Sequence, residues 1–368
     1  MKPRENQQGK RAIYSFPFQK RITVTEPNQS FPLELGGQLD EVVVGYESYG
    51  ALNQTKDNVI LLFHGLSGDS HGAAHTEGDQ PGWWEPMIGV GKVLDTSRFF
   101  ILVPNVLGGS QGTTGPLSIN SATGKTYGPD FPKVTIRDMV AANRKLLDQL
   151  EIEAPFAVIG GSMGGMLALE WAAMYPADGA RIISMVAPER ASAQAIGYSH
   201  VMRRAIEQDP AWQGGYYDPQ NQPRAGLETA RAIGMLIYQT EEMMEKKFGT
   251  TKREDRWEVE HYLEYQGEKL AERFDANTYL TLLSAMDSYD LSANRTNYPE
   301  LFQRKRGKML LIGNQGDLFY GLEHQQALAE KIALQGASCK WIDLGSLHGH
   351  DGFLIDFKLL EPILRKIL

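Results

Sequence analysis

An apolar run, Phe156 to Ile159, opens into Gly160-Gly161-Ser162-Met163-Gly164-Gly165 and resumes as the helical-looking Met166-Leu167-Ala168-Leu169-Glu170-Trp171. No other stretch constrains the fold as much. A serine flanked two residues away on each side by glycine, at a strand-to-helix turn, is a nucleophile elbow, the device that exposes a hydroxyl at the top of an α/β sheet. Such a turn is so tight that neighbouring Cβ atoms collide, which explains Gly160 and Gly164, and it sets the Ser162 hydroxyl at a helix N-terminus. Glycine-rich turns carrying an inert serine share the pattern, so the rest of the chain must decide.

The surrounding rhythm is that of a parallel sheet. Glu41 to Tyr46 is the clearest of several opening strands. Val59 to Phe63 and Phe99 to Val103 are continuously apolar, as strands buried on both faces are. Ile136 to Leu150 carries Met139, Val140, Leu146, Leu147 and Leu150 at helical spacing, and Ile182 to Val186 is a further strand. Strand and helix alternating in this way imply an α/β fold. From about Pro188 to Pro299 no strand pattern stands out. Helical stretches such as Leu227 to Lys247 and Tyr279 to Met286 dominate, and strands return at Met309 to Ile312 and Cys339 to Leu344. The economical organisation is a core of residues 12–187 and 300–368 with a helical lid insertion, 188–299, roofing the strand ends where open α/β sheets bind ligands.

Composition narrows the partners. A formal charge of −8 and no Lys/Arg-rich block argue against nucleic acid. The single cysteine, Cys339, excludes an intrachain disulfide framework and fits a reducing, cytoplasmic location. No apolar run approaches the roughly 18 residues of a membrane span, and Met1 to Arg11 lacks a signal-like apolar region. Those first residues are expected to be poorly ordered.

A serine hydroxyl needs a base within hydrogen-bond reach, itself oriented by a third group. Downstream of Ser162, Asp317 follows one strand in Gly313-Asn314-Gln315-Gly316-Asp317, and His350 follows the next in His348-Gly349-His350-Asp351. Both lie just past strand ends, in the chain order serine, acid, histidine. Taken singly, Asp317 reads as a turn residue and His350 as a surface histidine; the joint placement argues for a triad. His348 competes for the base role, but the helical pattern after Asp351 favours His350. A metal held by His348, His350 and Asp351 is conceivable, yet no second ligand cluster lies nearby in sequence, so no metal is expected. Oxyanion donors are expected at the backbone N–H groups of Met163 and of Leu66, in the loop His64-Gly65-Leu66-Ser67-Gly68.

Two stretches fall outside this scheme. The glycine-rich Asn105 to Pro116 loop could cradle a phosphate through its N–H groups or serve as a structural loop, and lacks the lysine of a P-loop. Arg231, in an otherwise apolar helix, either faces water or holds a substrate carboxylate.

Several blocks together resemble the homoserine O-acetyltransferase family of α/β-hydrolase-fold enzymes. They are Gly36 to Leu39, Gly45 to Gly50, His64 to His71, Pro81 to Trp84, Asn105 to Pro116, Val134 to Val140, the Gly160 to Gly165 elbow, Tyr265 to Gly267, Phe274 to Asn277, Ala285 to Asp287 and the His350-Asp351 ending. The match spans roughly residues 35 to 360. The resemblance implies an α/β-hydrolase fold and a ping-pong acetyl transfer from acetyl-CoA, as co-substrate without a bound cofactor, to the hydroxyl of L-homoserine through acyl-Ser162. It also implies Arg231 as carboxylate binder, Asp351 as partner of the substrate amino group, and a homodimer formed through the insertion. Gly65 stands where the family usually has alanine, Ser110 where it has cysteine, and the acid region is shortened to Asp317-Leu318-Phe319-Tyr320-Gly321. Succinyl transfer, another hydroxy-amino acid as acceptor, and ester hydrolysis on the same scaffold are the alternatives.

Overall fold

The computed structural model describes residues 17–295, 298 and 300–368. The segment Met1 to Arg11 and the expected boundaries at residues 12 and 299 lie outside them. Eight strands form one sheet: β1 (Lys20–Thr23), β2 (Val43–Tyr49), β3 (Val59–Phe63), β4 (Phe100–Pro104), β5 (Ala157–Gly161), β6 (Arg181–Met185), β7 (Met309–Gly313) and β8 (Cys339–Asp343). Their order is β1-β2-β4-β3-β5-β6-β7-β8. β2 runs antiparallel to β1 and β4, and every pairing from β4 to β8 is parallel.

The continuous apolar runs resolve into two faces with the strand period of two. Val59, Leu61 and Phe63 enter one apolar cluster and Ile60 and Leu62 the other; Val158 and Leu311 join the first, Ile159, Leu310 and Ile312 the second. All five residues of β3 are fully buried. Full burial of one such side chain is worth about 1.5–3 kcal/mol, which is why a strand covered on both sides has no polar alternation to display.

Helix α1 (Ile136–Gln149) begins at a capping box: Asp138 N–H donates to Thr135 Oγ1, and Asp138 Oδ2 accepts from Thr135 N–H at 2.8 Å. Helix α2 (Met163–Met174) follows β5 directly and is buried along nearly its whole length. Because the chain steps from β3 out to β4 and returns across β3 to β5, its direction of travel reverses beside the carboxyl ends of β3 and β5. Ligands of open α/β sheets bind at such a crevice.

Between β6 and β7 lie α3 (Ala193–Glu207), α4 (Arg224–Tyr238), α5 (Glu241–Lys247), α6 (Glu258–Arg273) and α7 (Ala276–Asp287). Two details depart from the sequence pattern. The stretch 227–247 is two helices, because Gln239 is extended (φ −110°, ψ 150°) and Thr240 caps α5 by accepting from Met243 N–H. Lys252–Arg253 and Arg256–Trp257 form a two-stranded ribbon, too short to leave an alternating signal. Met202, Ile206, Leu227, Leu270 and Leu282 belong to the same cluster as Leu61 and Val158, so these helices share a continuous core with one sheet face. After β7 comes α8 (Leu322–Leu334), and the chain closes with a helix at Phe357–Leu364 on the opposite face. Among the described residues no helix is long and apolar enough to cross a membrane.

Candidate active site

Ser162 sits between β5 and α2 with φ +58° and ψ −123°, a backbone conformation that costs a non-glycine residue on the order of 1–3 kcal/mol. Its neighbours show why the turn is written in glycine. A Cβ on Gly160 would lie 2.1 Å from the Gly164 carbonyl oxygen, and one on Gly164 would lie 2.4 Å from that of Phe63. The elbow is pressed against the end of β3, and the Ser162 N–H is tied to the Met185 carbonyl at 2.9 Å.

Across the carboxyl ends of β5, β7 and β8 the three expected side chains meet. Ser162 Oγ lies 2.8 Å from His350 Nε2, and His350 Nδ1 lies 2.9 Å from Asp317 Oδ2. All three residues are buried. The other Asp317 oxygen, Oδ1, accepts from the Phe319 and Tyr320 N–H groups at 2.8 and 2.9 Å, so the carboxylate cannot rotate freely. His348 is turned away, with its Nδ1 2.8 Å from Asp356 Oδ2. Asn314, which the sequence reading gave no role, links the two loops: its Nδ2 donates to the Ser346 and Gly349 carbonyls and its Oδ1 accepts from Ser346 N–H. A fully buried amide with partners on both ends fixes where the β8 loop delivers His350.

The rings of Tyr238, Phe319 and Tyr320 surround His350 at centroid distances of 5.3, 5.5 and 5.5 Å. Burial disfavours its charged form, but the Asp317 carboxylate, through its charge and its hydrogen bond, together with the charge of Asp351, outweighs burial and raises its pKa. His64 is the opposite case. Burial lowers its pKa, its Nδ1–H reaches the Gly65 carbonyl at 2.8 Å, and its Nε2 accepts from Val106 N–H, so it acts as a neutral strut beneath the β3 loop.

A cavity of about 200 Å³ opens over Ser162 and His350, lined also by Leu66, Trp83, Arg231, Tyr238, Arg273 and Asp351. Gly65 packs against the elbow, a Cβ built there lying 3.8 Å from Ser162 Cβ. The Leu66 and Met163 N–H groups have no protein acceptor among the described residues. Arg231, on α4, is half-buried and reaches Ser67 Oγ at 3.4 Å. Asp351 Oδ2 accepts from Gln239 Nε2 at 3.0 Å, and burial raises its pKa against the opposing pull of Arg231 and His350. The extended residue that splits α4 from α5 is therefore the one that holds Asp351.

Sequence reasoning missed Gln239, because its position depends on that break. It also missed Arg273, at the end of α6, whose Nη2 donates to the Ser67 carbonyl at 2.7 Å. Of the two readings of the glycine-rich loop, its contacts match the structural one. Thr113 and Thr114 hydroxyls accept from the β2 backbone at Gly45 and Val43, and the loop lines a separate cavity of about 430 Å³ with Arg21, sharing no residue with the one over Ser162.

Residues 58–340 match the alpha/beta hydrolase fold family. The homoserine O-acetyltransferase of Symbiobacterium thermophilum is 43% identical over 357 residues, covering 94% of this chain and 93% of its own length. That of Chlorobaculum parvum is 45% identical over 327 residues, covering 89% and 88%. The chain belongs to the homoserine O-acetyltransferase family. Among solved structures, the homoserine O-acetyltransferase from Bacillus anthracis superposes with a TM-score of 0.87 at 27% identity, covering 95% of this chain and 96% of that one. Esterase E22 superposes with a TM-score of 0.85 at 30% identity, covering 95% and 99%. The homoserine O-acetyltransferase scaffold thus lies close to hydrolases, and the acceptor side of the cavity becomes the informative part of the site.

Proposed function

We propose that this chain transfers an acetyl group from acetyl-CoA to the side-chain hydroxyl of L-homoserine, with no resident cofactor, by a ping-pong cycle through acyl-Ser162. The observation that carries the reading is one cavity holding a nucleophile and base at one end with Arg231 and Asp351 beside them. A free amino acid has a carboxylate and an ammonium, and these two side chains complement both.

In the first half-reaction Ser162 Oγ–H gives its proton to His350 Nε2 as Oγ attacks the acetyl carbonyl. The C–S bond breaks, and His350 returns the proton to the departing thiolate. In the second half the homoserine hydroxyl gives its proton to His350 and attacks the acyl-serine carbonyl; the ester bond to Oγ breaks and the proton goes back to Ser162. Asp317 orients His350 and stabilises its cationic form. The Leu66 and Met163 N–H groups would receive the oxyanion in both halves, each worth about 2.7–4 kcal/mol. Arg231 would pair with the acceptor carboxylate. An ammonium at Asp351 would favour its ionised form and offset the effect of burial.

Hydrolysis is the second reading, favoured by Gly65 and by the likeness to esterase E22. Free thiol followed with acetyl-CoA or succinyl-CoA, with and without L-homoserine, separates the possibilities. Thiol release that requires homoserine, with acetyl-CoA the better donor, is expected. Release indifferent to homoserine, alongside p-nitrophenyl acetate turnover, refutes transfer. The same reading makes the product activated homoserine for methionine synthesis in the cytoplasm, with residues 188–299 acting as the roof of the site. Exposed Ile196, Val201 and Leu236 on α3 and α4 support a homodimer through those helices, which light scattering would test.

A further inference from the structure

A second cluster of chemically capable side chains lies away from Ser162, between strand β2 and the loop that follows β3. Glu47, on β2, is fully buried, and its Oε2 lies 2.9 Å from His71 Nδ1 and 2.8 Å from His75 Nε2. These ligand-capable atoms all fall within 4.8 Å of one another. Glu47 Oε1 is buried with no hydrogen-bond partner among the described residues, so one oxygen of the carboxylate has its lone pairs unfilled by the protein's own groups.

The surroundings have the form of an outer ligand shell. His71 Nε2 points at the Gln80 carbonyl at 2.7 Å, the contact that commonly fixes a metal-bound imidazole and leaves its other nitrogen facing the ion. Tyr49 Oη donates to Glu47 Oε2 at 3.0 Å and accepts from Ala73 N–H. The His75 ring is stacked between Phe18 and Tyr49 at centroid distances of 4.5 and 4.4 Å, so its orientation is set by packing. His71 also lines a cavity of about 490 Å³ with Asp79, Trp83 and Arg273, which gives an ion a route from solvent.

We infer that Glu47, His71 and His75 form a site for a divalent transition-metal ion, zinc in the first instance, with water completing the shell. Two imidazoles and one carboxylate are a donor set suited to zinc, and ligands about 2.0–2.1 Å from a tetrahedral ion stand roughly 3.3 Å apart; the two Glu47–histidine contacts would open by about half an ångström while the two imidazole nitrogens, within 4.8 Å of each other, draw together. Metal binding breaks both histidine–Glu47 hydrogen bonds and forms metal–nitrogen and metal–oxygen bonds in their place; the protons between Glu47 and the two rings leave to solvent or, on His75, move to its other ring nitrogen. The bound ion would clamp β2 to the loop that carries Leu66 at one end and Trp83 at the other. It would brace the cavity wall without taking part in acyl transfer.

The test uses the tag-free full chain, stripped with a chelator and titrated with Zn²⁺ alone by calorimetry, then with Co²⁺ read by visible absorption. A single saturable equivalent and a tetrahedral cobalt spectrum are expected. His71→Asn and His75→Asn should each weaken binding about tenfold or more, and His348→Asn, which alters a separate histidine–carboxylate pair, should leave it unchanged. Zn²⁺ titration of the wild type followed by histidine ring resonances must move His71 and His75, a readout independent of whether any variant folds. No saturable binding, or binding that leaves both rings unperturbed, overturns the site.

Discussion

Replacing Asp317 by asparagine tests the catalytic geometry most sharply, because the structure dictates which way the amide must turn. Asp317 Oδ1 accepts from two backbone N–H groups, Phe319 and Tyr320, while Oδ2 faces His350 Nδ1. An amide placed with its NH₂ at the Oδ1 position would oppose two donors with a donor and leave two buried N–H groups unpaired, at about 1–3 kcal/mol each. The amide oxygen therefore takes the Oδ1 position and the NH₂ faces His350. His350 must then accept at Nδ1 and carry its proton on Nε2, aimed at Ser162 Oγ, where a base with a free lone pair is required. The equivalent wrong-tautomer substitution in serine proteases costs about 10⁴ in rate, roughly 5.4 kcal/mol of barrier. Stopped-flow acylation by acetyl-CoA or p-nitrophenyl acetate should show a loss of this order in Asp317→Asn. Thermal stability should change little, since both backbone hydrogen bonds survive. A folded variant acylating within tenfold of wild type would refute the role given to Asp317.

Four other outcomes follow from the same site. Arg231→Ala should raise the homoserine KM about 10–150-fold, the equivalent of about 1.5–3 kcal/mol for hydrogen bonds to a charged group, and leave acylation intact; unchanged KM would remove the carboxylate role. The acid limb of the acylation rate should lie above the ordinary histidine value of about 6.5, since His350 must be neutral to accept the Ser162 proton and its pKa is raised. Asp351→Asn removes one of the raising charges and should move that limb to lower pH when p-nitrophenyl acetate, which needs no amino-acid grip, is the substrate; a limb that stays or rises contradicts the electrostatics. Gly160→Ala should destabilise the fold by about 3 kcal/mol or more in urea unfolding, because its Cβ meets a carbonyl oxygen at 2.1 Å that no rotamer change can move, and wild-type stability would mean the elbow is laxer than described.

The parts of this protein legible in its sequence are those whose cause is local. Strands buried on both faces must be continuously apolar, so β3, β5, β6 and β7 could be located to within a residue or two from composition alone. The elbow advertised itself because only glycine fits where Gly160 and Gly164 approach other backbone. Asp317 and His350 could be singled out because each follows a strand, and in a parallel sheet all such loops emerge at the same edge. What stayed hidden depends on partners distant in the chain. The break at Gln239 exists where its amide meets Asp351, 112 residues on. Asn314 matters because it joins two loops 32 residues apart.

The tertiary structure also decided between equals. His348 and His350 have the same chemistry and nearly the same address; packing turned one toward Asp356 and the other toward Ser162, 188 residues away. Glu47, His71 and His75 carry no shared local pattern, since a strand and a following loop are brought together only when β2 and β3 take their places in the sheet. Sequence by itself determined the kind of sheet and the serine that stands at its elbow, because sterics and burial act on neighbours. Which charges surround that serine was left to the fold, since electrostatic contacts act through space and only the assembled chain defines the distances.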